Sequence, residues 1–426
     1  MIEYLKNIVD LTPYLGSKGY EGVRYNPKKI EREAFLKIAP FQVEQSSFYQ
    51  EGFRITQGES DGNHPYHLAG LYYFQEPSAM SALTALQLEG HERVLDLCAA
   101  PGSKATAIGG ALKEGLLVAN EIDGKRAAVL RENLERMGIR RCVITQGEPQ
   151  QMAKALPCYF DKVLIDSPCS GEGMFRKYPR ILEEWSEELV AHCARRSRTV
   201  LEEGAKTLRA GGRLVYSTCT FNLEENERTI LWFLERHPDF EVVETGLSSG
   251  AKGLLGLDRA RRIFPQHGGE GHFVCAMVRK GEEAARPAPT FKAEKCQEPM
   301  DELKKVLRER VSGIGFCRGN YFYLADEDLP NPQGIRILRA GLQAMELAGR
   351  HWKPCHHLAM SLPQEAFRFA KECSLEEARL YVNGQVLPCE GQGFGVMAVE
   401  GVPLGLVKAA GGMGKNHFPK GLRTLK

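Results

Sequence analysis

The spacing of apolar residues changes several times along the chain, and each change marks an organisational boundary. In residues 1–80 the apolar positions are sparse. They predict a short strand at 22–25, broken by Asn26-Pro27, and a helix over 28–38 from Ile30, Ala34, Phe35 and Ile38. Extended runs follow at 53–56 and 68–75, and Glu76-Pro77-Ser78 opens a helix reaching about 86, with proline near its first turn. This stretch is read as a small α+β unit.

From residue 94 the pattern alternates buried strands with helices. Strands are predicted at 94–97, 116–120, 142–146, 163–165 and 213–218, interleaved with helices over 104–112, 127–137 and 185–208. Gly211-Gly212 is read as the turn before the fifth strand. A helix at 224–235 and strands at 240–243 and 271–278 complete the region. Short strands that are apolar throughout, separated by helices, predict an α/β fold with a doubly wound, Rossmann-like parallel sheet over 81–282. Residues 283–300 carry Pro, Ala and charge without periodicity and are read as a linker. Residues 301–370 form a small mixed unit, and 371–426 a last one, with strand candidates at 378–382 and 395–399.

Composition narrows the class. At 426 residues, 43% hydrophobic and 26% charged, the chain is a soluble globular type. It has no run approaching the roughly 18 apolar residues of a membrane span. The amino terminus lacks the basic start and apolar core of a secretory signal, so a cytoplasmic protein without membrane contact is expected. Twelve cysteines form no C-x-x-C pair. Cys142, Cys158, Cys193, Cys275 and Cys373 are read as small core residues. Cys355-His356-His357 lacks a second half-site, and no metal is expected. A net charge of +2 excludes an overall field that recruits polyanions. From Gly401 onward, however, Lys408, Lys415, Lys420, Arg423 and Lys426 stand without an acid, either as a solvated terminus or as a local anion-binding surface.

Candidate chemistry gathers at strand ends. The loop Cys98-Ala99-Ala100-Pro101-Gly102-Ser103-Lys104 is not the glycine-rich wrap a pyrophosphate needs, and it suits an unphosphorylated nucleoside ligand such as S-adenosylmethionine. Glu121, ending the next strand, suits ribose hydroxyls. Asp166 ends the fourth strand, Cys169 follows in a Pro-, Ser- and Gly-rich turn, and Cys219 follows the fifth. Either thiol alone reads as a buried residue. Together at one rim they point to thiolate chemistry. Carbon 5 of cytosine is too electron-poor to take a methyl group unaided. A thiolate added at carbon 6 makes it enamine-like, a second polar group assists release, and an acid such as Asp166 contacts the ring.

The runs D-L-C-A-A-P-G-S-K, V-L-I-D-S-P-C-S-G-E-G-M-F-R-K and L-V-Y-S-T-C-T resemble the Nop/Nol/Sun family of RNA (cytosine-5)-methyltransferases. R-A-G-L-Q-A-M-E-L, H-H-L-A-M-S-L and the ending P-L-G-L-V-K to K-N-H-F-P-K-G-L-R resemble its bacterial RsmF subgroup, which modifies small-subunit ribosomal RNA. The resemblance implies Cys219 as nucleophile, Cys169 as the group aiding release, and Asp166 as a cytosine contact beside the cofactor. It assigns residues 98–104 and Glu121 to S-adenosylmethionine. It places Glu148 near adenine, where Gln146-Gly147-Glu148 departs from the usual pattern; Ser167 stands for a common Ala and Ser103 for a common Gly. The last 50 or so residues become a PUA-like RNA-binding module, with Lys415, Lys420 and Arg423 as RNA contacts. The implied partner is 16S rRNA, free or in the small subunit, and a monomer suffices. The same chemistry on tRNA and a catalytically idle assembly factor are the alternatives; a dinucleotide oxidoreductase is disfavoured by the first loop.

Overall fold

The computed structural model describes residues 1–423, so Lys426 lies outside the described residues. An antiparallel sheet comes first: β1 (Gly22–Tyr25), β2 (Gln42–Gln45), β3 (Gly52–Gln57) and β4 (Tyr72–Phe74), ordered β2-β3-β1-β4. The helix expected over 28–38 covers only Arg32–Ile38. Lys28 and Lys29 are drawn away instead, their ammonium groups donating to helix-end carbonyls of Leu112 (2.8 Å) and Arg136 (3.0 Å). The extended run expected at 68–75 is likewise shorter. Pro65–Leu68 is a helical turn, with Pro in its first position, and only Tyr72–Phe74 pairs as strand.

Five parallel strands then form the centre: β5 (Arg93–Asp96), β6 (Leu116–Glu121), β7 (Cys142–Gln146), β8 (Phe160–Asp166) and β9 (Leu208–Thr218), in spatial order β9-β8-β5-β6-β7. This is the Rossmann-like parallel sheet expected from the alternation of strands and helices. Every residue of β6 is buried, as expected for a strand covered on both faces. The strands' carboxyl ends all reach one rim. Behind the rim, helix Gly124–Arg136 starts where the Asp123 side chain accepts from the Lys125 and Arg126 amides, and helix Glu187–Thr207 starts on Ser186. Gly211-Gly212 does not turn the chain into the fifth strand. The strand begins at Leu208, opposite Phe160, and residues 209–212 bulge before pairing resumes at Arg213 with Lys162. Gly211 takes φ +75° in that bulge.

Beyond β9 the sheet turns antiparallel through β13 (His272–Arg279), which also pairs β10 (Phe240–Val243) and β12 (Arg261–Ile263); β11 (Ala251–Lys252) closes that edge. The strands β14 (Ile314–Arg318), β15 (Tyr321–Ala325), β16 (Arg336–Ala340), β17 (Leu342–Ala348) and β18 (His351–Pro354) do not form a separate body. Four pair as β14-β15-β17-β18, while β16 joins β7 of the central sheet antiparallel. It covers what would be an open edge and buries Ile337 and Ala340 in the main core. The segment read as a linker is also structured: helix Gln297–Val306 begins inside it, and Phe291 is buried with its ring stacked on Phe316.

The last sheet contains β19 (Ala370–Glu372), β20 (Leu387–Pro388), β21 (Gly393–Val399), β22 (Val402–Ala410) and β23 (Met413–Asn416), ordered β19-β21-β22-β23-β20. Residues 378–382, expected as strand, lie in helix Leu375–Val382. Ser374 and Glu377 form its capping box, and Ala378, Tyr381 and Val382 are buried at helical spacing. That helix and β21–β22 share one apolar core with Val23, Phe35, Phe53 and Tyr72, so the first and last sheets are packed together.

Candidate active site

Asn120 locks the rim from below. Its amide donates to Leu97 O and Gly147 O, while its carbonyl accepts from the Thr145 hydroxyl, tying the ends of β5, β6 and β7. Above it, Cys98, Glu121, Ile122, Glu148 and Pro168 line a cavity of about 250 Å³. The predicted ribose acid Glu121, Cys98 at the start of the first loop, and Glu148 therefore share one space, while residues 99–104 of that loop do not line it. Glu121 is buried; one oxygen accepts from the Asp123 amide at 3.0 Å, and Arg126 lies 3.6 Å from the other. Glu148 precedes helix Pro149–Ala155, and its amide donates to Gln151. Burial, with the carboxylates of Asp96, Glu121 and Asp166 adding to it, pushes the Cys98 thiol far up, so it lines the cavity as a neutral group.

Lys104, 5% exposed, reaches from the helix that follows the loop and pairs with Asp166 Oδ2 at 2.7 Å. Ser217 Oγ donates to Asp166 Oδ1 at 2.8 Å, and His272 Nε2 stands 3.7 Å from the same oxygen. Burial opposes ionisation, but the Lys104 ammonium, with the His272 ring behind it, holds Asp166 well below the usual carboxylate range. Asp96, 1% exposed, goes the other way: burial first, then the charge of Asp166, push its carboxyl up to about 8.

The thiols meet at this corner. Cys169 Sγ and Cys219 Sγ are 3.3 Å apart, both half-buried and both free. Contact with Cys219, then burial, raises the Cys169 thiol well above its ordinary value, so Cys169 keeps its proton. Two buried glutamates hold the cysteine turns together. Glu172, beyond Cys169, accepts from Thr220 Oγ1 (2.5 Å) and the amides of Phe221 (2.7 Å) and Asn222 (2.8 Å), beyond Cys219. Glu225 reciprocates, accepting from the Ser170 amide (2.9 Å) and hydroxyl (2.5 Å).

Residues 83–278 match the 16S rRNA methyltransferase RsmB/F family, 5–77 the N-terminal domain of 16S rRNA methyltransferase RsmF, and 369–424 the methyltransferase RsmF PUA domain. Ribosomal RNA small subunit methyltransferase F of Klebsiella pneumoniae (strain 342) is 34% identical, over 94% of this chain and 89% of that protein. The chain belongs to the RsmF family of 16S rRNA methyltransferases. A methyltransferase homolog from Pyrococcus horikoshii is 29% identical with TM-score 0.56, over 63% of this chain and 89% of that one. NSun6 from Pyrococcus horikoshii, solved with SFG, has the same fold at 21% identity and TM-score 0.59, over 66% of this chain and 97% of that one.

In this RsmF-family chain the residues picked from sequence fall into two places. Cys98, Lys104, Glu121, Glu148, Asp166, Cys169 and Cys219 gather along the rim. Lys415 and Lys420 stand exposed on the last sheet's side, while Arg423 donates to Phe418 O and Asn416 Oδ1 of its own turn. Sequence reading missed Ser217, His272, Glu172 and Glu225. For Glu172 the signal was a lone carboxylate three residues past Cys169 in a turn of Ser and Gly, whereas Glu225 stands beside Glu224 in a polar stretch that does not single it out. His357 is buried with Nδ1 accepting from the Gln343 amide and Nε2 against Arg339, and no group of metal-binding side chains occurs among the described residues.

Proposed function

We propose that this chain methylates carbon 5 of a cytosine in 16S rRNA, using S-adenosylmethionine, through a covalent Cys219–cytosine adduct. The observation that carries it is the 3.3 Å approach of two free thiols beside an ionised aspartate and a nucleoside-sized cavity. The residues fit the cofactor. Glu121 presents a buried carboxylate to vicinal hydroxyls, Ile122 and Pro168 supply apolar walls, and the neutral Cys98 adds no charge. When bound there, S-adenosylmethionine supplies an electrophilic methyl group.

The chain's own residues do the rest. Cys219 adds through sulfur to carbon 6, which makes carbon 5 electron-rich. Cys169 donates a hydrogen bond to Cys219 and exchanges a proton with it as the carbon–sulfur bond later breaks. Asp166, fixed by Lys104 and Ser217, accepts from the exocyclic amine of the base. The exposed Lys415 and Lys420 contact phosphates and position the RNA without reading sequence. Small ribosomal subunits incubated with the protein and methyl-labelled cofactor, then digested to nucleosides, should yield labelled 5-methylcytidine, and Cys219→Ser should yield none. Label on another nucleoside, or full activity of Cys219→Ser, refutes the reading.

A further inference from the structure

The chain's charges nearly cancel, to a net +2, yet one cavity collects a single sign. A space of about 440 Å³ lies where four segments converge: Lys28 and Lys29 after β1, the turns entering β6 and β7, the end of helix His356–Ser361, and the turn into β22. Five basic side chains line it, Lys28, Lys29, Lys113, Arg140 and Arg141, and no acidic one does. Three of the five have internal duties. Lys28 and Lys29 cap helix ends, as described above, and Arg141 pairs with Asp326 (3.0 Å) and Asp328 (2.9 Å). Lys113 and Arg140 have none: both are exposed, and neither side chain meets a carboxylate or a carbonyl among the described residues. Burial first, then Arg140 and Arg141, lower the Lys28 ammonium below its ordinary value, as crowded like charges do. Ser361 Oγ, in the same wall, also lacks a hydrogen-bond partner. A recess lined by one sign of charge focuses its field and draws in the opposite ion.

We propose that this cavity is a phosphate-binding site for the RNA substrate, holding a backbone phosphate of a nucleotide other than the one methylated. The turns entering β6 and β7 lie at the amino edge of the parallel sheet, opposite the rim that carries the thiols. β6 is six residues long, so about 20 Å of sheet separates the two edges. One nucleotide cannot reach both. The contact therefore falls on a distant segment of a folded RNA, which a structured ribosomal substrate provides. Lys113 and Arg140 meet its non-bridging oxygens, and the planar Arg140 fork can hold two at once. Such contacts fix where the RNA lies without reading its bases. A free nucleotide offers the same phosphate chemistry, and the test separates the two sources.

The inference rests on RNA being the substrate, as read above, and not on the Cys219 adduct. Equilibrium binding of small-subunit RNA is measured from about 50 to 300 mM salt for wild type, Lys113→Gln/Arg140→Gln and Lys113→Arg/Arg140→Lys. Loss of two phosphate contacts should reduce the slope of log affinity against log salt by about 1.5, and the charge-conserving pair should keep the wild-type slope. S-adenosylhomocysteine affinity should not change, because the candidate cofactor cavity lies at the other edge. Calorimetry with adenosine monophosphate and with inorganic phosphate probes for a free ligand. An unaltered slope in Lys113→Gln/Arg140→Gln, or an equal loss in the charge-conserving pair, overturns the proposal. Adenosine monophosphate binding that the Gln variant loses while its RNA slope is unaltered overturns it in favour of a free nucleotide. A wild-type protein that binds no small-subunit RNA overturns the substrate reading itself, and this inference with it.

Discussion

Glu172 is the group whose removal should most clearly separate the thiol corner from the cofactor cavity. It is fully buried and accepts five hydrogen bonds: three from residues 220–222 on one oxygen, and on the other Trp185 Nε1 (2.8 Å) and Asn222 Nδ2 (3.1 Å). Glu172→Ala leaves the Phe221 and Asn222 amides and Trp185 Nε1 without their acceptor, while Thr220 Oγ1 and Asn222 Nδ2 keep Ser170 Oγ (2.9 Å) and Glu225 Oε1 (2.6 Å) as partners. Each unsatisfied buried donor costs about 1–3 kcal/mol, and relaxation and water entry recover part of the sum. Loss of one member of a buried charged network is worth about 3–5 kcal/mol, which lowers the midpoint of a unit this size by roughly 10 °C. The turn after Cys219 would then move relative to Cys169, and a displacement near 1 Å at a reacting group costs about 100-fold in rate. Apart from Pro168, the candidate cofactor cavity is lined by other segments, so S-adenosylhomocysteine affinity should stay within about 3-fold, a tolerance of about 0.6 kcal/mol. Thermal unfolding, single-turnover methyl transfer and calorimetric binding measure the three quantities. A midpoint within 2 °C of wild type with full activity would refute the argument that this carboxylate holds the two turns together.

Other outcomes follow from the same geometry. Lys415→Glu/Lys420→Glu should weaken RNA binding and reduce its salt dependence by roughly two ion equivalents, with no change in unfolding, because both side chains are exposed. Asp96 titrates near 8 in the folded chain and near 4 when unfolded, so its stabilising contribution is complete below about pH 4 and is lost as pH rises towards 8. Urea midpoints should therefore fall between pH 5 and 8 in wild type more than in Asp96→Asn.

The order of strands and helices in the central sheet was legible because parallel strands covered on both faces are apolar throughout, and β7 falls where the periodicity places it. Residues 378–382 misled because Ala-Arg-Leu-Tyr-Val is β-like taken alone, whereas the capping box at Ser374 and Glu377 starts a helix just before it. The role of β16 was hidden for another reason: nothing local in Arg-Ile-Leu-Arg-Ala says which edge it will cover. Among site residues, the thiols, Asp166 and Glu121 announced themselves by ending strands. His272 and Glu225 act through partners about 50 to 100 residues away in sequence, and that proximity is created only by the fold.

The central claim is the covalent adduct, and Cys169→Ala tests it most directly. With that thiol gone, release should stall and small-subunit RNA should remain bonded to Cys219. Incubation with S-adenosylmethionine and small subunits, followed by a denaturing gel, should show a retarded protein–RNA band that disappears in Cys169→Ala/Cys219→Ala. A Cys169→Ala protein that turns over normally with no retarded band, or a band that survives loss of Cys219, would contradict the account.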